Sequence, residues 1–548
     1  MRSEAGITRA SESRTAEPGG EASRRVKPEP AAPTAHGPVD APAAPAAEPH
    51  VRPDPLTRAG IRACTPDEVR AAVAEARGVQ SAWAALPLRE RARRMDVLRR
   101  VLGRRGDDIA RVVHEETGKP LAEALAEVVV IADVLGFYGR HARRVLGARR
   151  VGTGWLVGKT ARVEREPFGV VGAITPWNYP FILTMDAVAA ALYAGNAIVL
   201  KPSEYTPRSA LIIEELAREA GLPAGLVRVV PGGGEAGQAL VSAGVDKLFF
   251  TGSTETGRRV MAAAAETLTP VGLELGGKDP AIVLEDADLD RTAAGLAYGA
   301  FFNAGQTCVS TERVYVVEAV HDALVERLVA EASRLTVGAE GDYDIGPMVT
   351  DFQVDIVEAQ VRDALARGAR VEIGGERAPD DTRIFQPTVL TGVDHTMAVM
   401  TEETFGPLLP VMRVRDEDEA VRLANQTPYG LFASVWTGNL ARGRRVAARL
   451  RAGGVSINDT LSHYAVPGLP MGGTGASGFG RRRGEAGLEE MSRPRAVLEH
   501  RVGLRRELWW FPYRARTSRI VRALLQVVAG SGVGRFVRAL RALRGEGR

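Results

Sequence analysis

Val170-Val171-Gly172-Ala173-Ile174-Thr175-Pro176-Trp177-Asn178 decides how this chain folds. Five apolar or small residues run without alternation and stop at a polar, turn-forming tetrapeptide. Such a run predicts a strand buried on both faces, as in a parallel sheet, that delivers polar groups at its C-terminal end. The pattern then repeats. Ala197–Leu200 predicts a second strand, followed by the loop Lys201-Pro202-Ser203-Glu204. Ser209–Ala220 predicts a helix stopped by Gly221 and Pro223. Val227–Val230 and Lys247–Phe250 predict further strands, closed by Pro231-Gly232-Gly233-Gly234 and by Thr251-Gly252-Ser253-Thr254. This alternation is that of an open α/β sheet, with ligand loops at the strand C-termini.

Toward the N-terminus, Thr65-Pro66-Asp67-Glu68 predicts a helix start: a Thr cap, Pro at the first helical position and acids in the first turn. Val69, Ala72, Val73 and Ala76 continue at helical spacing, and further helices follow to about residue 145. Asp108 and Glu115-Glu116 fall on polar faces and read as solvated. Residues 150–166 place Val151, Leu156, Val157 and Val163 among glycines and predict a hairpin. A second α/β segment runs from about 277 to 487, with strands at Ala281–Leu284, Arg313–Val316 and Leu408–Val414. Ala496–His500 reads as the last strand.

Bulk composition narrows the function. The 548 residues are 45% hydrophobic and 25% charged, a soluble balance with room for several domains. Two cysteines cannot build a disulfide framework, so a reducing, cytoplasmic compartment is expected. No CxxC and no Cys/His cluster occurs, so no metal site is expected. A net charge of +4 and a pI near 9.1 do not argue for nucleic acid unless the basic residues form a face. Residues 1–55 are rich in Ala and Pro, contain no apolar signal core and read as a disordered tail. No apolar run reaches the roughly 20 residues that span a bilayer.

Chemistry points to Phe301-Phe302-Asn303-Ala304-Gly305-Gln306-Thr307-Cys308. Small and polar residues ahead of Cys308 suit a chain that bends and brings a substrate close to the sulfur. A thiolate is a strong nucleophile even when only a small fraction is ionised. A lone cysteine is more often a buried structural thiol, so its context has to decide.

That context is six motifs in order: Pro176-Trp177-Asn178-Tyr179-Pro180, Lys201-Pro202-Ser203-Glu204, Phe250–Gly257, Leu273-Glu274-Leu275-Gly276-Gly277-Lys278, Gly305-Gln306-Thr307-Cys308 and Glu403-Thr404-Phe405-Gly406-Pro407. Together they resemble the NAD(P)-dependent aldehyde dehydrogenase superfamily over roughly residues 55–500. The resemblance implies that Cys308 attacks an aldehyde carbon, that Asn178 with the Cys308 backbone N–H forms an oxyanion hole, and that Glu274 is the general base for thioester hydrolysis. It further implies that Thr175, Pro176, Trp177, Lys201, Ser203, Glu204, Gly252, Ser253, Gly257, Leu275, Gly276, Glu403 and Phe405 surround the cofactor. Lys201 and Glu204 resemble the pair that holds the adenosine ribose. A carboxylate there accepts from ribose hydroxyls and repels a 2′-phosphate, which favours NAD and leaves NADP as the alternative. Gly252-Ser253 before a helix would set backbone and hydroxyl donors at the pyrophosphate.

The implied fold is a Rossmann-like cofactor domain (56–148 and 168–276), a second α/β catalytic domain (277–487) and a small β oligomerisation arm (149–167 and 488–503). A homodimer or homotetramer is expected through that arm. Two departures from the family stand out. Ala187 occupies the position where many members carry a lysine proposed to relay protons, a lysine that the class 3 branch and some semialdehyde dehydrogenases also lack, and Gly475 replaces a common lysine. Within the class the rival substrate is succinate semialdehyde. His463 and Tyr464 lie in a region that often lines the pocket, but no Arg can be assigned there. A CoA-acylating enzyme is a second rival, although such relatives generally lack the base that Glu274 supplies; a scaffold without activity would predict loss of Cys308, Glu274 or Asn178.

Residues 504–548 extend beyond the usual family end. Trp509-Trp510-Phe511-Pro512-Tyr513 precedes two basic amphipathic helices, broken at Gly530-Ser531-Gly532. Residues 508–548 suit either peripheral contact with an anionic membrane or packing against the body or another subunit.

Overall fold

Val170–Ile174 is a strand buried at every position. In the computed structural model, which describes residues 55–544 apart from Asp380, Leu504 and Leu508, it lies inside a six-stranded sheet. Across its width this sheet runs Gly478–Phe479, Val271–Glu274, Lys247–Thr251, Val170–Ile174, Ala197–Lys201, Val227–Val229. All pairs are parallel except the first, where Gly478 lies opposite Glu274. The chain builds outward from Val170–Ile174 to one side and then returns to build the other, so strand order reverses between Val170–Ile174 and Lys247–Thr251. Open sheets offer a ligand crevice at that reversal. Helix Pro180–Ala194, which leaves Val170–Ile174 through the Trp177-Asn178 turn, is buried along its whole length and packs against helices Leu121–Leu146 and Arg208–Glu219.

The second sheet has seven strands in the order Arg370–Ile373, Thr388–Thr391, Leu408–Val414, Thr311–Val317, Asp279–Val283, Phe432–Trp436, Gly454–Ile457. It too is parallel apart from its first pair. It approaches the site from the opposite end of its strands. Lys278, Cys308 and Glu403 precede strands Asp279–Val283, Thr311–Val317 and Leu408–Val414, so this sheet presents N-terminal ends. The first sheet presents C-terminal ones.

Arg149–Val151, Lys159–Pro167 and Ser492–His500 form a separate three-stranded antiparallel sheet. Its last strand starts four residues before the expected Ala496. Arg495 bridges to Glu164 across the strands at 2.6 Å, and Pro494 is tolerated because the strand is an edge.

The Thr65 cap is as expected: Thr65 Oγ1 accepts from Glu68 N and Glu68 accepts from Thr65 N at 2.8 Å. Glu116 departs from its reading as a solvated acid. It accepts from Arg208 N and Ser209 N, both at 2.7 Å, and so caps a helix that has no cap of its own.

The expected pair of C-terminal helices is Ala515–Ala529 and Gly534–Arg544. They pack on each other through buried Ala523 and Ala539. Val521, Leu525, Val528, Phe536, Val537 and Leu540 stay exposed. Trp509 lies edge-on to Trp155, which sits between strands Arg149–Val151 and Lys159–Pro167, with ring centroids 5.0 Å apart. Among the described residues no helix is long and apolar enough to cross a membrane. The expectation for the tail falls outside the described residues except for Pro55, which opens helix Pro55–Arg58.

Candidate active site

Helix Leu289–Phe301 ends in a tight turn before strand Thr311–Val317, and Cys308 sits between them. Asn303, Ala304 and Gly305 have φ of 54°, 53° and 70°. Left-handed backbone at two successive non-glycine residues is strained and needs surrounding structure to hold it. That hold is visible: Asn303 N donates to Glu123, and Asn303 Nδ2 donates to Asn178 O at 3.1 Å. A Cβ on Gly305 would lie 2.2 Å from Gly406 O, and one on Gly277 would lie 2.5 Å from Cys308 O. The cysteine loop is therefore clamped between the chain after Glu274 and the loop that carries Glu403.

Cys308 lies on the wall of two hollows. One is an apolar cavity of about 220 Å³, bounded in part by Val130, Tyr179, Ile182, Phe302 and Leu461. The other is a cleft of about 300 Å³ at the strand-order reversal. Pro176, Trp177, Asn178, Gly252, Ser253, Glu274, Leu275, Gly276, Glu403 and Phe405 all line this cleft. Residues from six motifs spread over 230 positions thus meet, or stand one strand away, at one sulfur.

The electrostatics suit a thiol that needs a base. Burial pushes the Cys308 thiol well above its usual range, and the carboxylates of Glu274, Asp279 and Glu403 push it further. Burial also raises the Glu274 carboxyl, opposed chiefly by Arg482, whose Nε lies 2.8 Å from Glu274 Oε2. Glu274 Oε1 is buried without a hydrogen-bond partner. Asn178 Nδ2 donates to Gln306 O at 2.9 Å, fixing the amide beside the cysteine loop, while its Oδ1 is also buried and unpartnered. Two orphaned polar atoms on one cleft are what a site built for bound polar groups would leave.

The remaining expected cofactor residues divide. Lys201 and Glu204 stand at the end of Ala197–Lys201 with Nζ 3.5 Å from Oε2, and burial lowers the Lys201 pKa against the opposing pull of Glu204. Thr175 N donates to Lys201 O, so this strand end adjoins the cleft without lining it. The Thr175 hydroxyl is bound to Thr184 and Ser203 Oγ accepts from Tyr205 N, so both serve the local turns. Gly257 packs in the first turn of helix Thr254–Ala265 against Leu275, away from the cleft wall. Gly252 does line the cleft, but its N–H donates to Glu274 O at 3.1 Å and is not a free donor. Ser253 Oγ caps the helix by accepting from Thr256 N. Glu403 accepts from Gly277 N at 2.8 Å, and burial beside Glu312 raises its pKa. Trp177 and Phe405 meet edge-to-face at 5.4 Å.

Tyr464 lines the apolar cavity as anticipated, whereas His463 stacks on Phe432 at 3.6 Å, where burial lowers its pKa to about 3. Three supporting residues escaped the sequence reading. Arg482 tethers Glu274 and donates to Thr251 Oγ1 at 2.6 Å. Arg483 pairs with Asp186 at 2.8 Å. Lys119 donates to Glu127 and to Asn178 O at 2.7 and 2.8 Å. The run Arg481-Arg482-Arg483 after three closely spaced glycines was the available signal for the first two.

A doubly wound sheet whose switch-point cleft reaches a cysteine is an arrangement of ligand-binding α/β proteins. The sequence pattern of the aldehyde dehydrogenase family matches residues 49–497. A 4,4'-diapolycopene aldehyde oxidase from a Methylomonas species is 44% identical over 451 residues, 82% of this chain and 84% of that protein. A glutarate-semialdehyde dehydrogenase of Pseudomonas aeruginosa is 41% identical over 77% of this chain and 88% of its own length. The crystal structure of an NAD-dependent aldehyde dehydrogenase from Sinorhizobium meliloti superposes with a TM-score of 0.79 at 40% identity, covering 82% of this chain and 90% of that one. The chain belongs to the aldehyde dehydrogenase family and is an oxidoreductase.

Proposed function

We propose that this chain oxidises an aldehyde to a carboxylic acid with NAD as acceptor, through a covalent bond to Cys308. The observation that carries the reading is Cys308 on the wall common to the apolar cavity and the switch-point cleft. Glu274 takes the thiol proton, and Cys308 Sγ bonds the aldehyde carbon to give a thiohemiacetal. The Asn178 amide and the Cys308 N–H donate to the developing oxyanion. NAD, when bound, supplies the acceptor for the hydride that leaves that carbon, and a thioester remains on Cys308. Glu274 passes that first proton to solvent and then draws one from water; the water oxygen bonds the thioester carbon, the C–S bond breaks to release the acid, and the proton on Glu274 returns to the sulfur.

A dinucleotide is supported by the cleft's place at the strand-order reversal and by Asn178 Oδ1 and Glu274 Oε1 on its wall, both buried without partners. Lys201 and Glu204 would hold the adenosine ribose, where the carboxylate disfavours a 2′-phosphate and so NADP; Glu403 would hold the nicotinamide ribose with Phe405 beside the ring. On this reading 56–148 and 168–276 form the cofactor domain, 277–487 the catalytic domain, and 149–167 with 488–503 the arm of a homodimer or homotetramer. The exposed edge Ser492–His500 supports the arm's role. We place the protein in the cytoplasm, with peripheral membrane contact through 508–548. Residues 508–545 contain eight arginines, seven of them in the two helices, and no Asp or Glu, which suits an anionic surface. The relatives named for glutarate semialdehyde and for 4,4'-diapolycopene aldehyde support aldehyde oxidation and mark two substrate kinds.

Purified protein with NAD and an aldehyde panel is expected to form NADH. Cys308→Ala abolishes turnover, and Asn178→Ala lowers kcat by about 10²–10³. Glu274→Gln leaves a slow steady state. Steady NADH formation by Cys308→Ala would overturn the covalent route, and full turnover by Glu274→Gln would remove the base.

A further inference from the structure

We infer that the aldehydes accepted at this site are uncharged and apolar along their length, and that a carboxylate at the far end is rejected. The inference rests on Cys308 as the nucleophile of the proposed reaction. The cavity that ends on Cys308 is walled by side chains such as Val130, Ile182, Leu183, Phe302 and Leu461. Its charged lining residues are both acids, Glu123 and Glu127; no Arg, Lys or His is among them. It shares Glu123, Ala126, Tyr298 and Phe302 with an outer groove of about 450 Å³. The other charged residues of that groove are again acids, Glu331 and Asp344. A chain leading outward from Cys308 therefore runs along apolar side chains and then past carboxylates.

The nearby cations are committed elsewhere. Lys119, with a side chain 1% exposed, donates to Glu127 and Asn178 O and lies over the Tyr179 ring at 4.1 Å. Arg483 is bound to Asp186 and to Tyr464 O and covers the Tyr464 ring, with its Nη2 buried and unpartnered, and Arg482 is bound to Glu274; neither arginine lines the cavity. A substrate carboxylate drawn into the cavity would lose its water and find no positive partner, a state that buried charges avoid. Glu123 makes this worse. Its carboxylate accepts from Asn303 N at the cysteine loop, and burial raises its pKa to about 7. Charged or neutral, it offers no positive charge. An alkyl chain meets the opposite situation, since each methylene moved from water to an apolar wall favours binding by about fourfold.

The test compares kcat/KM of the full-length protein with NAD for straight-chain alkanals of increasing length, for succinate semialdehyde, and for the methyl ester of that semialdehyde. Acid and ester share one carbon skeleton and differ chiefly in charge. Alkanals are expected to gain up to about fourfold per methylene until the cavity is full, and the ester to exceed the acid by about tenfold or more. Glu123→Gln is expected to narrow the ester-to-acid ratio, which is taken within one preparation and so cancels any general loss of activity. An acid as good as its ester overturns the inference, while alkanal turnover in the same assay leaves aldehyde oxidation standing. An unchanged ratio in Glu123→Gln overturns the assignment of the rejection to that residue. A folded preparation that turns over no aldehyde overturns the reading of the site itself.

Discussion

Glu274 has one carboxylate oxygen bound to Arg482 and Thr251 and one bound to nothing. The tethered oxygen keeps the group from swinging, and the free oxygen can accept a proton. Burial and Asp186 raise the Glu274 pKa, while Arg482, Arg483 and Thr251 lower it. Arg482→Gln removes the largest opposing charge, so the carboxylate ionises only at higher pH. The acidic limb of kcat is then expected to move to higher pH, and Arg482→Lys to recover part of the shift. A pH profile of NADH formation at saturating aldehyde reads both; an unmoved limb would mean that Arg482 does not govern the base. That Cys308, Glu274 and Asn178 would share one cleft was legible in the sequence, because each sits in a distinctive local motif. Arg482 and Arg483 were not, because a buried arginine is defined by its partner, and Asp186 lies 297 residues from Arg483.

At the scale of elements, Glu116 teaches the same lesson. It lies on the polar side of its own helix, and only the arrival of Arg208–Glu219 turns it into a cap. Glu116→Ala is expected to destabilise the protein by about 1 kcal/mol, the usual cost of losing a cap, seen as an earlier onset of thermal unfolding. An unshifted onset would show that solvent replaces the carboxylate without cost. Long periodic helices and uninterrupted apolar strands were readable from spacing alone. Four-residue strands such as Val271–Glu274, Thr388–Thr391 and Gly454–Ile457 were not, since so short a run carries no period and is a strand only because its neighbours pair with it. The contribution of the second sheet through its N-terminal ends was hidden for a related reason: sequence order does not say which end of a strand faces another sheet.

For the whole molecule, the C-terminal helix pair is the part least explained by the family fold. Val521, Leu525 and Val528 recur on one exposed face, while Arg516, Arg519 and Arg522 recur on another. The full chain is expected to float with vesicles containing phosphatidylglycerol and to be released by high salt, because contacts with anionic headgroups are screened. A chain ending at Glu507 is expected to stay with the soluble fraction. Equal flotation of the two would place membrane contact elsewhere, and no flotation of either would remove it.

Cavity and cleft share two lining residues, Leu183 and Cys308. Under the proposed reaction the dinucleotide lies in one hollow and the acyl chain in the other, meeting at the sulfur. The expectation that follows is product release in either order, set by two separate dissociation rates.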